Sequence, residues 1–128
     1  DFGRAAARID DGANYLPARL TALLMALAAY IPFRKGKSAR NLKEELRFIR
    51  RYGRMHASPN SGYPEAALAG ILDCRFGGPH HYFGEYCFKP YIGNRLRPLT
   101  TTDMQQAVTV NRRAEILMIL TGVLLYLL

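Results

Sequence analysis

Apolar residues dominate two stretches of the chain, one near each end. Residues 20–33 carry no charged side chain, and apolar positions recur from Ile9 at intervals of three or four, which predicts a helix over residues 4–33. Residues 116–128 are a second apolar run, and with the amphipathic stretch before it they predict a last helix over residues 104–128. A span needs about 20 apolar residues, so each run is at or below the short end.

We interpret both runs as membrane-inserted, and the alternative for the first is a buried core helix in a soluble protein. The predicted fold class is mainly α. We expect an integral membrane protein fragment with two apolar helices flanking a cytoplasmic loop domain of helical and irregular structure. The four predicted segments are residues 1–33, 34–54, 55–103 and 104–128. Because the chain lacks an initial Met and ends inside an apolar run, we expect it to belong to a longer protein.

Positive charge is concentrated directly after the first apolar run. The net charge is +8, and nine of the 18 Lys and Arg residues lie in residues 34–54. Cationic residues beside a span are typical of its cytoplasmic flank. The segment predicts a basic helix over residues 41–54, with Ser38 as its N-cap and Gly53 near its end, lying on anionic lipid. A nucleic-acid-binding domain would explain the charge alone, so we expect no nucleic acid partner.

The middle of the chain, residues 56–93, holds all three His and both Cys. Residues 58–62 are rich in turn formers, and Pro64 and Glu65 predict a short helix over residues 65–72. A turn that leads into a helix N-terminus is a common binding place for phosphate or carboxylate. Gly77, Gly78 and Pro79 predict a second turn, and residues 80–88 an irregular strand or an aromatic loop.

Metal and nucleophile chemistry find little support in this middle stretch. The His residues lack metal-ligand spacing, and Cys74 and Cys87 match no zinc pattern, so we expect reduced thiols. No Ser-His-Asp order and no local Cys-His pair indicates a covalent nucleophile.

The first helix begins with polar residues that share one face. Asp11, Asn14 and Arg19 recur at helical spacing, with Asp10 beside them. One interpretation is an ion-paired helix end at the membrane interface, and the other is a polar stripe that faces a functional site, because ionisable groups at membrane depth are costly unless used. Pro17 either kinks this helix or starts it.

Two long segments resemble a known family. Residues 9–28, IDDGANYLPARLTALLMALA, are similar to a DDxxNxxPARLTA-type segment, and HASPNSGYPEAALAGILDCRFGGPHHYFGE with the later KPYIG is similar to SPNxGxPEAAxAGxLxxxLGGPxxYxG and KPxIG. Both patterns are typical of the adenosylcobinamide-phosphate synthase family of cobalamin biosynthesis (CbiB/CobD). The chain departs from the pattern at Phe76 and Tyr63, where the family commonly has Leu and Trp. The resemblance covers what corresponds to the C-terminal portion of a family member.

The resemblance implies a membrane-bound ligase that forms a carbon–nitrogen bond. Its substrates would be the corrinoid adenosylcobyrate and an amino alcohol, aminopropanol or its O-phosphate, joined as an amide to give cobinamide or its phosphate. The family's reaction is assigned as ATP-dependent, so the resemblance implies ATP and Mg²⁺ as cofactors and leaves the metal ligands open. It also implies a multi-pass protein of the bacterial inner (cell) membrane, with the middle stretch in the cytoplasm.

Site residues follow from matching the family's motifs to this sequence. The predicted catalytic residues are Glu65, Lys89, Asp10 and Asp11, with Lys89 as a charge clamp. The predicted substrate-binding residues are His56, Ser58, Asn60, Ser61, Gly62, Gly77, Gly78, Tyr82, Asn14 and Arg19.

One conflict accompanies these assignments. A fully inserted first helix would place Asp10 and Asp11 on the side of the membrane opposite the middle stretch. Either that helix is only partly inserted, or these acids serve the fold. The alternative function is a non-catalytic membrane scaffold or accessory subunit that binds a partner through the middle stretch.

Overall fold

The computed structural model describes residues 2–30 and 40–128, which form four helices and a two-stranded sheet. In chain order the elements are α1 (Phe2–Tyr30), α2 (Leu42–Tyr52), α3 (Gly62–Leu72), β1 (Arg75–Tyr82), β2 (Glu85–Gly93) and α4 (Thr101–Leu127). The four predicted helices are confirmed, with ends that differ by a few residues. The predicted end of the first helix at Pro32 lies outside the described residues.

Side-chain caps fix where two helices begin. Asn41 caps α2: its Oδ1 accepts from the Glu44 N–H at 2.9 Å, and its own N–H donates to Glu44 at 3.2 Å. The predicted N-cap Ser38 lies outside the described residues. Thr100 and Asp103 form the same reciprocal pair at the start of α4. Each pair satisfies backbone N–H groups that the first turn leaves without partners, so both starts are encoded locally.

Helix α3 lies at the centre and packs against all three other helices and the sheet. Its buried face consists of small residues, so neighbouring backbones approach closely. The last half of α1 packs its buried Leu24 and Met25 against Ile49 of α2, Ala67 of α3 and Val110 of α4. Apolar burial on one side of α1 therefore determines where its polar first half is held.

The two strands form an antiparallel hairpin after α3. Phe83 and Gly84 occupy its turn with φ of 51° and 85°, and two successive positive φ values match the twist of a tight hairpin. Residues 80–88 were expected to be one irregular strand or an aromatic loop, but they form the end of β1, the turn and the start of β2, and the expected turn at 77–79 is wrong. Gly77 and Gly78 lie inside β1 at an irregularity in the register, where their φ values of 87° and 92° require glycine.

The expected integral membrane fragment with two apolar flanking helices is wrong. Within residues 2–30 and 40–128, no helix is both long enough and apolar enough to cross a membrane. The reason is local: charged Asp11 and Arg19 interrupt α1, and Arg112, Arg113 and Glu115 interrupt α4. The middle region also contains a β-hairpin rather than only helical and irregular structure. The predicted location in the inner membrane stays a prediction.

Candidate functional site at the junction of α1 and the turn before α3

A short turn over residues 56–61 is held together by its own side chains. The Ser58 Oγ accepts from the N–H groups of Asn60 at 3.4 Å and Ser61 at 3.3 Å, and the Ser61 hydroxyl donates to it at 3.2 Å. The Ser58 N–H donates to Nδ1 of His56, two residues before it, at 2.9 Å. The sequence-predicted turn chemistry therefore operates through side chains that accept backbone donors.

Asn60 joins this turn to α1. Its side-chain amide donates to the backbone carbonyl of Asp11 at 2.9 Å, and its carbonyl oxygen accepts from the Arg19 guanidinium at 3.2 Å. Asn60 is 6% exposed, so both hydrogen bonds are shielded from water. A buried amide that uses donor and acceptor on one helix fixes the distance between that helix and the turn.

Arg19 is held flat between two aromatic rings. Its guanidinium carbon lies 3.4 Å from the ring centroid of Tyr15 and 4.2 Å from that of Tyr63. The same group donates to the backbone carbonyls of Tyr15 at 2.8 Å and Pro59 at 3.4 Å. Stacking on both faces with hydrogen bonds in its plane fixes the orientation in which Arg19 meets Asn60.

These contacts border an open cleft of about 320 Å³ between α1 and the turn. Its lining is mainly polar and consists of Asp10, Asp11, Asn14, Pro17, Ala18, Thr21, Ser58, Asn60, Ser61 and Pro64. Asp10 and Asp11 both lie on the same cleft as the turn, so the described chain places them beside the middle stretch. Their role in the site stays a prediction.

The two aspartates differ in how they use their oxygens. Asp10 Oδ1 accepts from the Asn14 side chain at 3.0 Å, whereas Asp11 contributes its backbone carbonyl to Asn60. Within residues 2–30 and 40–128, no hydrogen bond or ion pair engages the Asp11 carboxylate. An ionised carboxylate at a cleft wall next to side-chain amides and hydroxyls suits a cation or a protonated amine.

The donor set of this cleft fits Mg²⁺ bound together with phosphate. Among the described residues, no group of three or more His, Cys, Asp or Glu side chains converges as a metal site. Mg²⁺ does not require one, because it is commonly bound by one or two carboxylates with substrate phosphates and water. Asp10 and Asp11 supply such hard oxygen ligands at the cleft wall.

Four predicted residues lie beside the cleft without lining it: Arg19, described above, and His56, Gly62 and Glu65. Gly62 is buried. A Cβ there would collide with the carbonyl oxygen of Gly53 and lie 2.8 Å from Cβ of His56. Glu65 lies in the first turn of α3, with its Oε2 at 3.8 Å from Nε2 of His56. The structure therefore brings the α1 residues and the turn together, with His56 and Glu65 behind the turn.

Four predicted residues lie on the hairpin and do not line the cleft. Gly77 and Gly78 pack against the opposite strand, where a Cβ would collide with the Pro90 carbonyl oxygen and the Tyr91 ring. Tyr82 is 64% exposed near the hairpin turn, and the exposed Lys89 is paired with Gly78 in the sheet. Close strand pairing explains why Gly77 and Gly78 must be glycine. The roles predicted for Lys89 and Tyr82 stay predictions.

The sequence interpretation missed the aromatic support of the site. Tyr15 lies four residues before Arg19 on α1, a spacing at which helical side chains meet, and this signal was present in the sequence. Tyr63 reaches Arg19 from α3, and no local pattern connects residues so far apart. Thr21, Ala18 and Pro17 line the cleft only because α1 continues unbroken through Pro17, so the predicted helix start there is wrong.

A second polar cluster, here called the arginine cluster, closes the other end of α3. It comprises Arg40, Arg95 and Arg97 with Asp73 and Asp103. Arg97 donates to both carboxylate oxygens of Asp103 at 2.8 Å and to the carbonyls of Leu72 at 2.6 Å and Asp73 at 3.1 Å. Asp73 Oδ1 and Oδ2 pair with Arg40 at 3.2 Å and Arg95 at 2.6 Å.

The arginine cluster shifts the titration of its members. Hydrogen bonds from Arg97 lower the pKa of Asp103, against the effect of burial, and Asp103 in turn raises the pKa of Arg97. Burial opposes ionisation of Asp73, but the hydrogen bond and charge of Arg95 and the charge of Arg40 outweigh it and lower its pKa. Burial raises the pKa of Cys74 to about 11, so this free thiol stays protonated at neutral pH.

Comparison with known proteins identifies relatives for nearly the whole chain. A family model described as CobD/Cbib protein matches residues 1–111. The "Cobalamin biosynthesis protein CobD" of Desulfotalea psychrophila is 48% identical over 106 residues, 83% of this chain and 30% of the relative. The protein of the same name from Geobacter metallireducens is 48% identical over 93% of this chain and 36% of its own length.

A third relative extends the coverage further. The CobD protein of Photorhabdus laumondii is 40% identical over 99% of this chain and 38% of its own length. The chain thus spans about a third of the length of the curated relatives it matches. No solved structure matches it.

Proposed function

The chain belongs to the CobD/Cbib protein family, and on that premise we propose that it forms part of an enzyme of cobalamin biosynthesis. The proposed reaction joins the propionate carboxylate of a corrinoid, adenosylcobyrate, to the amine of aminopropanol or its O-phosphate. ATP supplies the energy for this amide bond. The substrates, the amide chemistry and the use of ATP belong to the whole protein, of which this chain is about a third.

The observation that carries the proposal is the meeting of two family motifs at one cleft. The DDGAN motif supplies Asp10, Asp11 and Asn14, and the SPNS motif supplies Ser58 and Asn60 on the opposite wall. These motifs are about 45 residues apart in sequence, yet Asn60 bonds to Asp11 directly. A scaffold that only docks a partner would not require these polar groups to converge on one cleft.

The residues of the cleft are suited to the partners of an amide ligation. Amide formation from a carboxylate needs an activated acyl group, most simply an acyl phosphate, whose negative charge must be offset. Mg²⁺ would be held by Asp10 and Asp11 and would offset phosphate charge. The Ser58 hydroxyl would donate to a phosphate or carboxylate oxygen, and Arg19 would keep Asn60 in place. The Ser61 hydroxyl and the Asn14 amide would do so only by giving up their hydrogen bonds to Ser58 and Asp10.

Glu65 is proposed to act on the amine. Amino alcohols are protonated at neutral pH, and only the neutral amine attacks an acyl carbon, so the site needs a proton acceptor near the turn. Glu65 lies at the start of α3, four residues after the turn, and faces His56. Its carboxylate is about a third exposed, so substrate and water can reach it.

Turnover of the full-length protein with adenosylcobyrate, ATP and aminopropanol phosphate tests this proposal. We expect Asn60→Ala and Glu65→Gln each to lose tenfold or more in amide formation, because each removes a group from the proposed site. Matched controls are Asn94→Ala and Glu85→Gln, which change exposed residues of the hairpin region. Wild-type turnover in both site variants would reject the site, and absence of corrinoid-dependent amide formation by the wild type would reject the function.

A further inference from the structure

His56 holds a single, defined tautomer in this structure. Its Nδ1 accepts the Ser58 N–H at 2.9 Å, and a ring nitrogen that accepts a hydrogen bond carries no proton. In the neutral ring the proton is therefore on Nε2, which faces Glu65 Oε2 at 3.8 Å. One ring nitrogen thus supports the turn, and the other points to the helix behind it.

The backbone packs closely around Cβ of His56 at Gly62. A Cβ on Gly62 would lie 2.8 Å from Cβ of His56 and would collide with the Gly53 carbonyl oxygen. Gly53 in turn packs on the ring of Tyr63, where an added Cβ would lie 2.9 Å away. The ring of His56 is only 23% exposed, so it has little room to leave the turn without a replacement contact.

We propose that His56 is a positioning residue whose neutral imidazole holds the Ser58–Asn60 turn in the geometry that forms the cleft. This inference rests on the proposed function only for its effect on turnover. The path runs from His56 Nδ1 to the Ser58 N–H, from Ser58 Oγ to the N–H groups of Asn60 and Ser61, and from Asn60 to α1. His56 itself touches no cleft surface and needs no contact with substrate.

Protonation of His56 reverses these contacts. A proton on Nδ1 turns the acceptor into a donor that faces the Ser58 N–H, so the hydrogen bond is lost. The positive ring is then attracted to the carboxylate of Glu65, which faces it from α3, while Arg19 remains on the turn through Pro59 and Asn60. At low pH His56 thus pairs with Glu65 instead of holding the turn. This pairing competes with the proposed action of Glu65 on the amine.

Two variants separate the hydrogen bond from the charge. The carbonyl oxygen of His56→Asn can accept from the N–H two residues later, a common turn contact, and it does not titrate. The longer His56→Gln places its amide near the position of Nε2 and cannot accept from Ser58 at the same distance. We expect His56→Asn to keep turnover within threefold of the wild type at pH 7.5, and His56→Gln to lose tenfold or more.

The deciding measurement is the ratio of wild-type to His56→Asn turnover in the full-length protein between pH 7.5 and 5.5. We expect this ratio to fall about tenfold, since imidazoles gain a proton over this range and asparagine does not. A ratio that stays constant, or Asn and Gln variants of equal activity, would overturn the proposal.

Hydrogen exchange of the peptide covering residues 56–63 gives a readout without substrate. After correction for intrinsic exchange, we expect protection in the wild type to fall between pH 7.5 and 5.5 and protection in His56→Asn to stay level. Unchanged protection in the wild type would overturn the positioning role. If the protection behaves as expected and no amide is formed at any pH, the positioning role stands and the proposed function fails.

Discussion

The cleft and the arginine cluster are built from the same kinds of side chain, but their carboxylates are paired in the cluster and open to the solvent in the cleft. Each joins segments that are far apart in sequence through arginine and side-chain oxygens at one end of α3. In the arginine cluster, both Asp73 and Asp103 are paired with guanidinium groups. At the cleft, Arg19 bonds to an amide and to carbonyls, and Asp10 and Asp11 face open space.

This difference distinguishes a structural polar network from a binding site. Carboxylates paired on both oxygens have little capacity left for a ligand, and they stabilise the fold. Carboxylates that line a cleft without a cation repel each other in the empty protein, and they attract a bound cation. The comparison predicts that substitutions in the arginine cluster change stability first, whereas those at the cleft change function first.

The largest expected effect on stability is that of Arg97→Met. The substitution leaves the buried Asp103 carboxylate without its guanidinium and removes the donors from two carbonyls at the end of α3, so we expect a loss of about 3 kcal/mol in unfolding free energy. Urea unfolding followed by circular dichroism measures it. Arg112→Met, an exposed change on α4, is the control, and equal losses for the two would break the comparison.

Acid is expected to have a smaller effect of the same kind. The pKa values of Asp73 and Asp103 are lowered by folding, so their stabilisation is complete above the unfolded value of about 4 and is lost as pH falls through the folded values. The loss stays below that of Arg97→Met because Arg97 keeps its bonds to Leu72 and Asp73. Unfolding midpoints between pH 6 and 2 test this, and the same slope in Asp103→Asn would contradict it.

The smallest effect on stability and a clear one on function are expected for Arg19→Lys. Lysine keeps the charge and loses the flat stacking between Tyr15 and Tyr63, so Asn60 is held less firmly. We expect turnover of the full-length protein to fall about fivefold while the unfolding free energy changes by less than about 1 kcal/mol. Arg112→Lys is the control, and a large stability loss without a change in turnover would place Arg19 with the structural residues.

The sequence predicted the helices of this fold because their signals are local. The apolar spacing along α1 is contained within one helix. The capping pair of Asn41 with Glu44 is equally local, although Ser38 was the predicted N-cap instead. The predicted membrane spans were wrong because Asp11 and Arg19 interrupt α1, and Arg112, Arg113 and Glu115 interrupt α4. No helix in residues 2–30 and 40–128 is therefore long enough and apolar enough to cross a membrane.

The site was predicted in its parts and not in its assembly. Asp10, Asn14, Ser58 and Asn60 were chosen from two motifs, and the bond between Asn60 and Asp11 could not be read from either one. The turn expected at Gly77 and Gly78 was wrong because positive φ serves a strand irregularity as well as a turn, and their predicted role in substrate binding stays a prediction. The contact of Arg19 with the Tyr63 ring joins α1 to α3, so it depends on tertiary structure.

The small residues of α3 set the packing distance between α3 and its neighbouring helices. Alanine and glycine on its buried face set how near α1 and α2 can come, and Gly70 admits the Glu45 carboxylate directly against the helix backbone. A single added methyl group on this face would push a neighbour outward and widen or tilt the opening between α1 and the turn. The width of the cleft thus depends on buried α3 residues that do not line it.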